Sequence, residues 1–333
     1  MHGPTTAQSD RLEIVELPRA SATHSFADDV REGLSADHKH LSSKYFYDAL
    51  GSALFDAITY LPEYYLTRAE TEILRDWGWE IVRVLDEPIE FLELGSGSAT
   101  KTRILIEEAL RVQSDLRYSP IDISADALRS SSSILVDSYP QLSVRAYAGD
   151  YFTVLASKAV RFDRRALAML MGSNIGNYTP EAAGALVALV GAVLRPGDGL
   201  LIGVDRKKDS GTLELAYDDP AGVTAAFDRN ILGRINRELG GTFELRNFDH
   251  VARYNDRRGC VESFLQSRFA QRVRIEALDM EVRLSAGERI HTESSYKFDA
   301  QDIGRLAHET GFSLSKTWHD RDRRFDLHLL VRK

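Results

Sequence analysis

Residues 88–98 read Pro88-Ile89-Glu90-Phe91-Leu92-Glu93-Leu94-Gly95-Ser96-Gly97-Ser98, a short apolar run that closes in glycines. A run of this length, with proline before it and glycine after it, predicts a buried strand. Ile104, Leu105 and Leu110 then recur on one side of a helical pattern. The segment is strand, glycine loop, helix. Glycine permits a tight turn and lets backbone approach a ligand closely. In open α/β sheets, ligands bind at the carboxyl ends of the strands where the strand order reverses.

The unit repeats downstream. A strand over 117–121 ends at Asp122 and precedes a helix over 124–137. A strand over 144–147 ends near Gly149-Asp150. A strand over 166–171 ends in Gly172-Ser173-Asn174, with a helix over 180–193 behind it, and a strand over 199–204 ends at Asp205. Such alternation implies a parallel sheet covered on both faces. After Asp205 the alternation stops. A long helix is predicted over 220–239, with Val223, Phe227, Ile231 and Ile235 on one face, then antiparallel strands over 243–248, 261–269, 273–278 and 281–284. A helix over 300–310 and strands over 313–318 and 326–331 restore the first pattern. On the N-terminal side, a helix is expected over 24–40, an aromatic segment over 45–52 leading into a helix over 53–59, and a capping box of Thr67 and Glu70 opening a further helix.

The predicted fold is therefore α/β: a Rossmann-like parallel sheet with a terminal antiparallel strand, plus a second α+β unit. Residues 70–205 with 298–333 form the expected core, residues 24–69 with 206–297 the second unit, and residues 1–23 a flexible N-terminus.

Composition narrows the function. Of 333 residues, 42 are Lys or Arg and 50 are Asp or Glu, a net charge of −8. Nucleic-acid binding ordinarily needs the opposite balance. A single cysteine, Cys260 beside a predicted hairpin turn at 256–259, excludes an intrachain disulfide and fits a reducing cytoplasm. No signal-peptide core or membrane-length apolar run is present. The nine histidines show no metal-site spacing. The expectation is a cytoplasmic, monomeric protein with no metal, membrane or nucleic-acid partner.

Two cofactor types compete for the glycine loop. A dinucleotide would favour a third glycine, where this chain has Thr100. A sulfonium cofactor carries positive charge and no phosphate, so the acidic strand end at Glu93 suits it. Asp122 is placed for ribose hydroxyls and Asp150 for an adenine amino group. Each aspartate could equally cap the helix that follows it. Glu93, the loop and the two aspartates together look like the class I methyltransferase pattern.

Beyond about residue 25 the chain resembles the L-histidine Nα-methyltransferases of ergothioneine biosynthesis. The resemblance is carried by KYFYDALGSALFDAI (44–58), LPEYYLTRAE (61–70), ELGSGSATKTR (93–103), MGSNIGNYTP (171–180), AYDDPAGVTAAFDRN (216–230) and TESSYKF (292–298). It implies a class I methyltransferase core with a substrate-binding domain, S-adenosylmethionine as methyl donor and L-histidine as acceptor. By resemblance, Tyr64, Gly95, Lys101, Asp122, Asp150 and Tyr151 line the cofactor site. Asn177 and Tyr217 hold the substrate carboxylate. Tyr47, Glu293 and Ser295 surround the imidazole, while Phe55 and Gly172 lie near the methylated nitrogen.

The residue types suit these roles. An amide and a phenol are neutral donors for a carboxylate, and an aromatic face can meet a growing cation. Plainer roles compete: Asn177 as a helix cap, Glu293 as the ion-pair partner of Lys297, Tyr217 and Phe55 as core aromatics, Lys101 as a solvated first-turn residue. The family pattern has Met where this chain has Ser263, which implies a larger side-chain pocket. That keeps another amino acid, such as tryptophan, as an alternative substrate. A nicotinamide-dependent oxidoreductase and an inactive cofactor-binding module are the rivals from other classes.

Overall fold

The computed structural model describes residues 11–16, 25–97, 99–123 and 125–333. Among them the chain runs β1 (Leu12–Glu16), α1 (Phe26–Ser35), α2 (Ala49–Thr59), α3 (Leu66–Ile81), β2 (Ile89–Leu94), α4 (Thr102–Leu110), β3 (Leu116–Asp122), α5 (Ala125–Ser138), β4 (Leu142–Ala148), α6 (Tyr151–Ala156), β5 (Arg165–Leu170), α7 (Pro180–Val193) and β6 (Gly199–Asp205). It continues as α8 (Ser210–Tyr217), α9 (Val223–Leu239), β7 (Phe248–Asn255), β8 (Cys260–Ser267), β9 (Gln271–Ile275), β10 (Met280–Leu284), β11 (Arg289–Tyr296), α10 (Ala300–Glu309), β12 (Phe312–His319) and β13 (Phe325–Arg332).

Eight strands form one sheet in the order β1-β4-β3-β2-β5-β6-β13-β12. β1 through β6 pair in parallel, and β13 runs antiparallel to both β6 and β12. The expected parallel sheet with a terminal antiparallel strand is thus present. Every residue of β2 and β6 is buried, as strands covered on both faces must be. The order reverses between β2 and β5, so the glycine loop after β2 opens at the switch point of the sheet. The segment after β6 builds two smaller antiparallel sheets, β11-β8-β7 and β10-β9.

Several expectations are corrected. The flexible terminus expected over 1–23 fails at residues 12–16, which form β1, registered on β4 from Leu12 opposite Val144 to Glu16 opposite Ala148. Arg11 fixes it by donating to the carbonyls of Val136, Tyr139 and Leu142, each at 2.9 Å. The remaining residues of 1–23 lie outside the described ones. Thr67 and Glu70 make no capping box: α3 begins at Leu66 without a side-chain cap, and Glu70 is buried. The core boundary expected at residue 70 therefore falls inside a helix. The strand expected over 243–248 is a 3-10 turn, Leu245–Asn247, followed by β7. Four further elements escaped the sequence reading: α6, α8, β7 and β11. α8 is a short helix capped by Asp209, and β11 mixes polar and apolar residues because its side chains reach into a polar site.

Candidate active site

The carboxyl ends of β2, β3, β4 and β5 face one region. Gly95 leaves β2 with φ +79°. A Cβ there would collide with the Tyr151 hydroxyl and come within 3.2 Å of Asn174 Nδ2. Asp122, at the end of β3, accepts from the Gly97 amide at 3.2 Å and so holds the glycine loop against its own strand end. Exposed Ile123 follows it and offers an apolar surface on the same rim. Asp150 follows β4 as the N-cap of α6, taking the Thr153 amide at 3.0 Å and its hydroxyl at 2.5 Å. The capping role considered for Asp150 is thus real. Tyr151 comes next, and burial raises its phenol well above the usual range, so it stays protonated. A glycine cradle edged by a tyrosine, an acidic strand end and an exposed isoleucine fits an adenosyl group carrying no phosphate.

Two buried glutamates underlie this region. Glu93 in β2 accepts from the Thr102 hydroxyl at 2.6 and 2.8 Å and is bonded to the Tyr118 hydroxyl. Burial pushes it up to about 7, against those hydrogen bonds. Glu70 accepts from the Gly172 amide at 2.8 and 3.0 Å and pairs with the Lys101 ammonium. Lys101 is therefore no free first-turn lysine: Glu70 ties α3, the start of α4 and the end of β5 together. Room for Glu70 comes from Gly203 on β6, where a Cβ would strike its carboxylate. Sequence reading missed Glu70 because its place in Thr67–Glu70 imitates a capping box.

Beside Gly172 lies a cleft lined by Tyr47, Phe55, Ile58, Tyr64, Gly172, Ser173, Asn174, Asn177, Ala216, Tyr217, Thr224, Phe227, Glu293 and Ser295. It gathers eight of the expected site residues from α2 and the segments flanking it, the β5 loop, α8 and β11. Rings dominate one wall. Tyr47 and Phe55 lie 5.6 Å apart between centroids, Phe55 and Tyr64 6.1 Å, Phe55 and Phe227 5.9 Å, and Tyr64 and Tyr217 6.3 Å. Tyr47 stands at the mouth, 43% exposed, with its hydroxyl as the inner end. Burial first, then Glu293 and Tyr217, raises that hydroxyl far above neutrality, so it acts as a phenol and not as a phenolate base.

The rest of the lining is polar, with Tyr217 joining the two. Glu293 is pushed up to about 7 by burial and by nearby Asp228, against Lys297 and His250. Its expected competitor role fails: Lys297 pairs with Asp205, at 3.0 Å, and not with Glu293. Asn177 does not cap α7 either, because Thr179 does, accepting from the Ala182 amide at 3.3 Å. Asn177 closes the 3-10 turn Asn174–Asn177 and faces the cleft. Tyr217 bonds Ser295 at 2.8 Å. His250 supports Tyr217 from behind, with Nε2 at 2.8 Å from its carbonyl and Nδ1 at 2.6 Å from Asp228 Oδ2. A carbonyl only accepts, so Nε2 carries the proton. Burial tends to lower His250, but the Asp228 contact outweighs it and the net shift is upward.

Ser263 is the cross-strand neighbour of a cleft residue. It is buried on β8, directly opposite Glu293 in the β8–β11 pairing, and does not line the cleft. Its position beside the glutamate, on the same face of the sheet, follows from cross-strand register, which spacing in the sequence does not reveal. Asn174, Thr224 and Phe227 are lining residues the sequence reading gave no site role. Phe227 was legible only as one residue of an apolar helix face.

Comparison with known proteins identifies the frame in which these residues sit. Residues 26–332 match the family described as histidine-specific, S-adenosylmethionine-dependent methyltransferases. The chain is 43% identical to a histidine N-alpha-methyltransferase of Mycolicibacterium smegmatis, over 95% of this chain and 98% of that protein. It is 42% identical to a histidine N-alpha-methyltransferase of Mycobacterium tuberculosis, over 91% and 94%. It is 28% identical to ergothioneine biosynthesis protein 1 of Schizosaccharomyces pombe, over 82% of this chain and 36% of that longer protein. A match of this extent, over a class I sheet with its glycine loop at the switch point, places the chain in the S-adenosylmethionine-dependent, histidine-specific methyltransferase family.

Proposed function

We propose that the protein transfers methyl groups from S-adenosylmethionine to the α-amino nitrogen of L-histidine, three times in succession, giving Nα,Nα,Nα-trimethylhistidine (hercynine) as the first step of ergothioneine biosynthesis. In this reading Gly95, Lys101, Asp122, Asp150, Tyr151 and Tyr64 hold the cofactor. Residues 24–69 and 206–297 supply the substrate side: Asn177 of the core and Tyr217 bind the carboxylate, and Tyr47, Glu293 and Ser295 the imidazole. Bound cofactor supplies a sulfonium methyl carbon as electrophile. The residues of the chain bind and align the amine for in-line attack, in which the N–C bond forms as the C–S bond breaks and S-adenosylhomocysteine departs. The product ammonium then loses a proton before the next round.

A free amino acid's amine titrates only a unit or two above neutrality, and burial beside a cationic sulfonium favours its neutral form, so no strong base is required. Alignment carries most of the acceleration. Gly172 leaves space for the nitrogen to rotate between rounds.

The observation that carries the reading is the pairing of aromatic rings with a carboxyl in one cleft. A chain of aromatic rings suits a nitrogen that becomes a permanent cation without N–H groups. The same cleft holds a glutamate with no hydrogen-bond partner among the described residues, suited to an imidazole N–H. Tryptophan is the alternative acceptor, kept by the small Ser263 standing beside Glu293 on the same sheet face. Purified protein incubated with S-adenosylmethionine and the twenty amino acids in competition should yield trimethylhistidine as the dominant product by mass spectrometry. A different methylated amino acid as the main product would refute the substrate assignment.

A further inference from the structure

The polar wall rests on an ammonium that the sequence reading gave no site role. Lys297 follows β11 directly, and its side chain is fully buried. Nζ donates to the Tyr217 hydroxyl at 2.7 Å and to Ser295 Oγ at 3.0 Å, and lies 3.0 Å from Asp205 Oδ2. Asp205 is itself held by the Tyr65 hydroxyl at 2.7 Å and by Lys208. An ammonium has protons and no lone pair, so each hydroxyl must accept from it. Tyr217 and Ser295 also bond each other, at 2.8 Å.

Proton counting sets the direction of the remaining bond. The two hydroxyls own two protons, and their mutual bond uses one. The other has no acceptor among the described residues, and both hydroxyls line the cleft. The wall therefore offers one obligatory donor proton, polarised by a positive charge directly behind it. A hydrogen bond so backed prefers an anionic acceptor.

We propose that Lys297 is a positioning residue that forces the Tyr217–Ser295 pair to donate into the cleft, and thereby restricts the enzyme to amino acids with a free carboxylate. This rests on the reading that Tyr217 faces the substrate carboxylate, so that Ser295 donates to the Tyr217 hydroxyl and Tyr217 donates into the cleft. Without Lys297 the hydroxyls could accept as well as donate, and a substrate lacking the carboxylate would be penalised less.

The test compares the wild-type enzyme with Lys297→Met and with the double variant Lys297→Met/Asp205→Asn, which removes both members of the buried pair together. Affinity for S-adenosylhomocysteine, by calorimetry, reports an intact fold and should stay within about twofold of wild type. The binding advantage of histidine over histamine, its decarboxylated amine, should fall by about ten- to a hundredfold, with KM for histidine rising and kcat little changed. An unchanged advantage, or equal weakening of histidine and histamine, would overturn the proposal and leave Lys297 a structural residue. If the single variant loses cofactor binding, the double variant carries the measurement. If the wild type methylates another amino acid, the same comparison is made with that amino acid and its amine, so failure of the substrate assignment is read separately.

Discussion

Glu293 concentrates the chemistry at the scale of a single residue. Its carboxyl is pushed up to about 7 from an ordinary value of 4.5, by burial and by Asp228. An acid whose folded pKa is raised favours its protonated form in the fold. The stability it contributes is complete below about 4.5 and is lost as pH rises through about 7. The stability of the wild type relative to Glu293→Gln should therefore decline between about pH 5 and pH 8, by on the order of 2–3 kcal/mol, read as melting temperature against pH. Ionised Glu293 is also the form that accepts an imidazole N–H. KM for histidine should accordingly fall over the same interval in the wild type relative to the Gln variant, a ratio that cancels titration of the substrate itself. Groups facing Glu293 that modulate this are Asp228, Lys297 and His250. A constant ratio would show that Glu293 does not titrate in contact with the substrate.

At the scale of elements, the aromatic wall depends on how α2 is fastened. Asp48 caps it, accepting from the Gly51 amide at 2.7 Å, and the same oxygen takes the Asn230 amide of α9 at 2.8 Å. The other oxygen pairs with Arg237. One carboxylate thus ends a helix and moors it to its neighbour, fixing Tyr47 and Phe55 on either side. Gly51 belongs to the same device, because a Cβ there would run into the Phe46 carbonyl. Asp48→Ala should cost about 1–2 kcal/mol in denaturant unfolding, the usual worth of a cap. It should also raise KM for histidine severalfold while leaving S-adenosylhomocysteine affinity intact, since α2 borders the substrate cleft. Loss of cofactor affinity to the same degree as substrate affinity would contradict that division.

At the scale of the whole molecule, the sheet extends one strand beyond the repeating α/β unit. β1 covers the open edge of β4, and an uncovered edge is a template for association. Arg11, with three carbonyl contacts, joins β1 to the end of α5 and to the start of β4. Arg11→Ala should lower stability by about 1–3 kcal/mol and increase aggregation on heating, measured by thermal unfolding with light scattering, without altering kcat or KM. A kinetic effect without a stability effect would mean that the edge communicates with the site. Among the described residues no helix is long and apolar enough to cross a membrane.

Where local pattern and tertiary context agree, the sequence by itself was enough. Ile89–Leu94 reads as a buried strand and the glycines after it as a turn, so the alternating core and the ends at Asp122, Asp150 and Gly172 were legible, whereas the strand order that puts the loop at a switch point was not. Long, compositionally unusual stretches such as 171–180 and 292–298 carried the family. The tertiary structure alone decided which partner each polar group takes. Glu70 reads as a cap residue and lies under Gly172; Lys297 reads as a partner for Glu293 and belongs to Asp205, Tyr217 and Ser295; Glu293 itself stands beside Ser263 of the neighbouring strand. Hydrophobic periodicity is a property of neighbouring residues and survives in one dimension. A buried charge is satisfied by whichever group the packing brings to it across tens or hundreds of residues, and no local spacing encodes that choice.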